Sequence, residues 1–284
     1  MATRPCTIAV VAPAARVTPA LMDEVAALAR ETFPGSPPVL RVDPQCYLAH
    51  GHFAGDDATR AAAFLQAAND PSVDAVWVAR GGYGAGRLIE AILPNLGPAA
   101  RTKDYLGYSD AGALLGALYA AGCGRVAHGP MPADMTRPGG AVAVARALRW
   151  LVARDAGTLE AGLADGAPAA AFNLTILATL IGTPWQPDLS GHVLMLEEVS
   201  EHMYRIDRTL AHVTRNPGVR RVAGIRLGRC SLIPPNDPDF GQTEEDVARH
   251  WCARSGIPYL GRADIGHDVD NKVAPFGAYG AGRD

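Results

Sequence analysis

The chain has 284 residues, of which 48% are hydrophobic and 19% charged, with a formal net charge of −3. That size and balance suit one large or two modest globular domains with a real core. They offer no basic stripe for nucleic acid and no apolar run near the roughly 18 residues of a membrane span.

The first residues lead straight into Ile8-Ala9-Val10-Val11, which stops at Pro13. This apolar run is too short for a signal peptide, so a cytoplasmic location is expected. The five cysteines, Cys6, Cys46, Cys123, Cys230 and Cys252, are scattered and form no C-x-x-C pair. They read as free thiols, not as a disulfide framework or a cysteine zinc site.

In chain order, Thr7 to Val11 predicts a buried strand. Thr18 predicts the N-cap of a helix that runs to Phe33. Val39 to Val42 reads as a second strand, Asp57 to Ala68 as a helix and Ala75 to Ala79 as a third buried strand. A glycine turn, Arg80-Gly81-Gly82-Tyr83-Gly84, follows, then a helix from about Arg87. Tyr105 to Gly107 leads into Ser109, and Ala113 to Ala121 reads as a helix before a short strand at Val126-Ala127. Such alternation implies parallel strands joined by crossover helices, with ligands beyond the carboxyl ends of the strands. Both the diglycine turn and Tyr108-Ser109-Asp110 fall at such ends.

Pro132, Pro138, Gly139 and Gly140 mark residues 131–141 as the best linker candidate, before a helix over Ala141 to Val152. A second set of elements begins near Phe172. It comprises helix Asn173–Ile181, strand Val193–Glu197, helix Tyr204–His212, strand Val222–Leu227 and helix Glu244–Ala253. The tail from Gly261 reads as loops. The expected fold class is α/β. A parallel-sheet N-terminal domain over 1–134 precedes a connecting region, 135–170, and a C-terminal α/β domain, mainly β, over 171–284.

Four segments carry candidate chemistry. Ser109 sits between a strand end and a helix start, where a tight turn exposes a hydroxyl beside unpaired backbone N–H groups. On its own the same placement equally describes a helix cap. Gly81-Gly82 allows close backbone approach and suits an oxyanion turn. Neither a P-loop nor G-x-G-x-x-G is present there. Glu197 and Glu198 end an apolar strand and point to opposite faces, so only one can reach a shared site. His267, beside Gly266 on a polar loop, is a general-base candidate. His128, before Gly129-Pro130, is a candidate to line a pocket. His50 and His52 form an H-x-H pair without an evident third metal ligand.

Taken in order, these segments resemble the LD-carboxypeptidase family of serine peptidases over nearly the whole chain. The matching fragments are Val11-Ala12-Pro13, Arg80 to Gly84, Gly107 to Asp110 and His128-Gly129-Pro130. In the second half they are Asn173-Leu174, Gly182-Thr183-Pro184, Leu196-Glu197-Glu198 with Tyr204 to Arg208, and Gly266-His267. The resemblance implies a Ser-His-Glu triad with Ser109 as nucleophile, His267 as base and Glu197 as orienting acid. It also implies an oxyanion hole from the backbone N–H groups of Gly82 and Asp110. No metal or cofactor is implied. The implied protein is a homodimer that removes the terminal D-alanine from cytoplasmic murein tetrapeptides, in peptidoglycan recycling. The alternatives are a related enzyme that inactivates a peptide-nucleotide antibiotic, and a non-catalytic binder of peptidoglycan fragments. Arg80, with Gly81 and Tyr83, is expected to face substrate. Whether Arg80 holds the terminal carboxylate or only supports the turn stays open. Ala14, where the family commonly has serine, and Phe172, where it often has glycine, depart from the usual pattern and bear on the pocket rim.

Overall fold

The computed structural model describes residues 4–163 and 167–279. The first half contains β1 (Thr7–Val11), α1 (Pro19–Thr32), β2 (Val39–Val42), α2 (Asp57–Asn69), β3 (Ala75–Val78), α3 (Ile89–Ile92), β4 (Asp104–Gly107), α4 (Gly112–Ala120), β5 (Arg125–His128) and α5 (Gly140–Ala153). The second half contains β6 (Pro168–Asn173), α6 (Leu174–Leu180), β7 (Val193–Val199), α7 (Met203–Arg215), β8 (Gly224–Ser231), α8 (Glu244–Ser255), β9 (Tyr259–Arg262), β10 (Ala274–Pro275) and β11 (Gly277–Ala278).

Two sheets result. The first has the order β10-β5-β4-β3-β1-β2, with β1 to β5 parallel and β10 antiparallel against β5. The second has the order β11-β6-β7-β8-β9, parallel from β6 to β9 with β11 antiparallel. Every residue of β1, β3 and β4 is buried, as central parallel strands covered on both faces require. Ile8 and Val10 face a core shared with Leu21 and Val25 of α1 and Ala147 and Leu148 of α5. Ala9 and Val11 face the other core, with Phe64 of α2, Ile89 of α3 and Leu114 of α4. That second core continues without a break into Phe172, Leu177, Leu194 and Leu210 of the second half.

The predicted helices and strands of residues 7–130 are present to within a few residues. Thr18 caps α1, accepting from the Leu21 N–H at 3.2 Å. Three differences lie further on. The residues from Pro132 to Thr136 form a 3-10 turn with Pro132 and Asp134 buried, and the Ala133 N–H donates to the Ala79 carbonyl at 3.0 Å. The predicted linker is therefore packed, and α5 beyond it belongs to the first core. The run Ala169-Ala170-Ala171 forms β6, although alanine is a poor strand former; burial between neighbours decides it. The tail from Gly261, read as loops, instead carries the end of β9 and all of β10 and β11.

Gly140 begins α5 so tightly against the 132–136 turn that a Cβ there would lie 1.9 Å from the Asp134 carbonyl oxygen. Backbone cannot yield as a flexible side chain does. Gly140→Ala is expected to cost about 1–3 kcal/mol, read as a lowered midpoint in thermal unfolding followed by circular dichroism.

Candidate active site

The strand order 2-1-3-4-5 of the first sheet reverses between β1 and β3. In doubly wound sheets that reversal opens a crevice at the carboxyl ends of the strands. The loops after β1 and β3, and the turn after β4, meet there. Ser109 follows β4 with φ +60°, a left-handed conformation uncommon for a residue with a side chain. This is the sharp turn that exposes a hydroxyl. Its Oγ lies 2.9 Å from His267 Nε2, so the hydroxyl serves the histidine and not a helix cap. Gly81 allows the approach: a Cβ there would sit 3.0 Å from Ser109 Cβ and 3.1 Å from its Oγ. Gly82 follows at φ +90°.

His267 Nδ1 lies 2.6 Å from Glu197 Oε2. Glu197 is fully buried and His267 is 9% exposed. Burial alone would disfavour the imidazolium, but the charge and hydrogen bond of Glu197 outweigh it, and the His267 pKa is raised. Glu198, on the opposite face as predicted, accepts from Asn173 Nδ2 at 2.6 Å and from the Thr175 N–H and hydroxyl at 3.0 and 2.7 Å. It braces the start of α6. The register of β7 against β8 shifts between Leu196 and Glu198, a bulge that re-aims side chains at that point. Gly228 of β8 makes room for it, since a Cβ there would meet Glu197 Cβ at 2.9 Å.

The loop carrying His267 is held by three arginines. Arg229 of β8 pairs with Asp264 and Asp268. Arg146 of α5 donates to the Val269 and Asn271 carbonyls at 2.9 and 2.8 Å. Arg137 donates to the His267 carbonyl at 2.8 Å. Arg137 also pairs with Asp134, whose carboxylate accepts from the Tyr108 hydroxyl at 2.6 Å and the Met131 N–H at 2.8 Å. The Tyr108 ring packs 4.9 Å from the His267 ring, centroid to centroid. Arg60, fully buried, donates to the Pro13, Gly84 and Gly55 carbonyls, which ties the loop after β1 to the diglycine turn after β3.

A cavity of about 660 Å³ opens beside Ser109 and His267, with Arg16, Arg80, Gly81, Gly82, Tyr108, Asp134 and Arg137 among its lining residues. Of the predicted residues, the structure brings together Ser109, Glu197, His267, Gly81 and Gly82, and it places Arg80 on the cavity wall. Asp110, directly after the serine, is half-buried; burial raises its pKa while His267 and His52 oppose the rise. Tyr83 is 59% exposed, its ring tilted toward Phe53, and is not among the lining residues. His128 is buried behind Tyr108, 3.2 Å from Asn271 Oδ1, with its pKa lowered to about 4 by burial. His50 and His52 are exposed, and among the described residues no group of three or more His, Cys, Asp or Glu is placed to hold a metal ion. Sequence reasoning missed Arg16, Arg60, Tyr108 as a hydroxyl donor, Asp134 and Arg137. Their partners are distant in the chain or unremarkable in type.

The LD-carboxypeptidase N-terminal domain matches residues 8–129 and the LD-carboxypeptidase C-terminal domain residues 168–280. A Synechocystis relative is 33% identical over 235 residues, 80% of this chain and 76% of its own length. The chain belongs to the LD-carboxypeptidase family of serine peptidases. The murein tetrapeptide carboxypeptidase of Pseudomonas aeruginosa is 28% identical over 73% of this chain and 71% of its own. The crystal structure of muramoyltetrapeptide carboxypeptidase from Oxalobacter formigenes superposes with a TM-score of 0.78 at 27% identity, covering 95% of this chain and 93% of that one. The microcin C7 self-immunity protein shares the fold at 18% identity and a TM-score of 0.76, over 98% of this chain and 97% of its own.

Within this family member, Arg60→Ala removes the donor to three loop carbonyls at once. Unsatisfied buried polar groups cost about 1–3 kcal/mol each. The variant is expected to lose that order of stability in denaturant unfolding, with greater proteolytic sensitivity of the Pro13 and Gly84 loops.

Proposed function

We propose that this protein is a serine LD-carboxypeptidase that removes the terminal D-alanine from murein tetrapeptides, with Ser109 as nucleophile, His267 as general base and Glu197 as the acid that orients the base. The observation that carries the reading is the continuous hydrogen-bond relay from Ser109 Oγ through His267 to Glu197, at 2.9 and 2.6 Å. Serine is a poor nucleophile until a base removes its proton, and a buried carboxylate fixes the imidazole tautomer and stabilises the imidazolium.

In this mechanism the Ser109 oxygen attacks the peptide carbonyl joining the penultimate residue to the terminal D-alanine, and His267 takes the hydroxyl proton. The backbone N–H groups of Gly82 and Asp110 receive the charge that develops on the carbonyl oxygen. His267 then protonates the departing amine, and D-alanine leaves. A water activated by the same histidine hydrolyses the acyl-enzyme. Arg80 and Gly81 face the substrate from the cavity wall. Murein relatives at about 28% identity support the substrate class. A cytoplasmic homodimer acting in peptidoglycan recycling is part of the same reading.

Ser109→Ala is expected to lower kcat for D-alanine release by on the order of 10⁴-fold or more while far-UV circular dichroism stays native; full retained activity would overturn the assignment. The pH profile gives a second test. Neutral His267 is the working form, and its pKa is raised. kcat/KM should therefore fall as pH drops through a value above that of an ordinary histidine. Glu197→Gln removes the charge that raises it, so the acid limb should move to lower pH as the rate falls. A limb that stays in place would separate Glu197 from the titrating group.

A further inference from the structure

We propose that Arg16 and Arg80 together form a carboxylate clamp that reads the free C-terminus of the substrate and makes the enzyme an exopeptidase. The proposal rests on the carboxypeptidase reading above and identifies what selects the terminal residue.

The two arginines come from the loops on either side of the strand-order reversal. Arg16 follows β1 and Arg80 follows β3. The loops touch: a Cβ on Gly82 would lie 3.3 Å from Ala15 Cβ, next to Arg16 in the chain. Both arginines line the cavity that holds Ser109 and His267. Both are exposed, and among the described residues neither has an ion-pair partner. The other charges on that wall are already committed. Asp134 is 4% exposed and holds the Tyr108 hydroxyl, the Met131 N–H and Arg137. Arg137 holds Asp134 and the His267 carbonyl. The first turn of α1, which shares the wall through Thr18 and Leu21, carries no acid. Among the described lining residues, the uncommitted charge is therefore positive and comes from two guanidinium groups.

Distance suits this role. The terminal carboxylate of a carboxypeptidase substrate sits within one residue of the scissile carbonyl, and one residue spans about 3.8 Å. Arg80 directly precedes the Gly81-Gly82 turn assigned to the oxyanion, and Arg16 follows Ala15, which packs against that turn, and lines the same cavity. A guanidinium binds a carboxylate through two parallel hydrogen bonds. A peptide continuing beyond the terminal residue would present a neutral amide there and leave both cations unmatched.

The test compares one tetrapeptide as its free C-terminal acid and as its C-terminal carboxamide. The ratio of kcat/KM between them is measured for the native protein, Arg16→Ala and Arg16→Lys. Arg16→Ala should shrink the preference for the acid by at least about tenfold, mainly through KM, and Arg16→Lys should restore part of it. An unchanged ratio in Arg16→Ala overturns the clamp. The same two peptides are titrated calorimetrically into Ser109→Ala and into Ser109→Ala with Arg16→Ala, which needs no turnover. Preferential binding of the acid that depends on Arg16 supports the clamp even if the native protein cleaves neither peptide, a result that would count against the proposed activity alone. Equal binding of acid and carboxamide to Ser109→Ala overturns the clamp.

Discussion

The hydrogen bond between Ser109 and His267 joins residues 158 positions apart in the chain, at the ends of two different sheets. Its geometry tolerates little error, because a hydrogen bond weakens steeply with misalignment. Ser109 is fixed by the parallel core of the first sheet, through β4 and the left-handed turn after it. His267 is fixed by arginines from β8, from α5 and from the turn after β5. Both sheets thus contribute to one bond, and much of the surrounding packing can be understood as keeping those two anchor points in register.

Glu197 makes the arrangement costly as well as exact in position. A fully buried carboxylate is strongly disfavoured unless it is paired. Here one oxygen meets His267, while Oε1 has no hydrogen-bond partner among the described residues. The charge is therefore concentrated on the histidine and little diluted by other donors, which accords with the raised imidazole pKa. Glu198, one residue on, shows the contrasting solution: four donors surround it, and its role is to hold α6 to β7.

Much of this was legible in the sequence. The buried strands β1, β3 and β4 announce themselves as short β-branched or aromatic runs bounded by proline or glycine. Thr18 marks its helix as a cap should. Ser109, Glu197 and His267 stood out through their ordered company of motifs, and the opposite-facing pair Glu197 and Glu198 followed from strand periodicity. What was not legible depends on contacts far apart in the chain. Arg60 looks like any helical arginine until the carbonyls of Pro13 and Gly84 close around it. Asp134 lies in a segment whose prolines and glycines suggested a tether. The strands β10 and β11 have two residues each, too few to show any period, and β6 hides in an alanine run that local propensity assigns elsewhere.

Those two short strands have a mechanical consequence. Ala274 and Pro275 pair with β5 of the first sheet, and only two residues later Gly277 and Ala278 pair with β6 of the second. The chain is stitched to both sheets within five residues, and a common apolar core fills the seam. A swing of one half about the other would have to break ladder hydrogen bonds and open that core together. Among the described residues this seam therefore offers no free hinge, and the sheet that ends in Ser109 is held in fixed register with the sheet that carries Glu197.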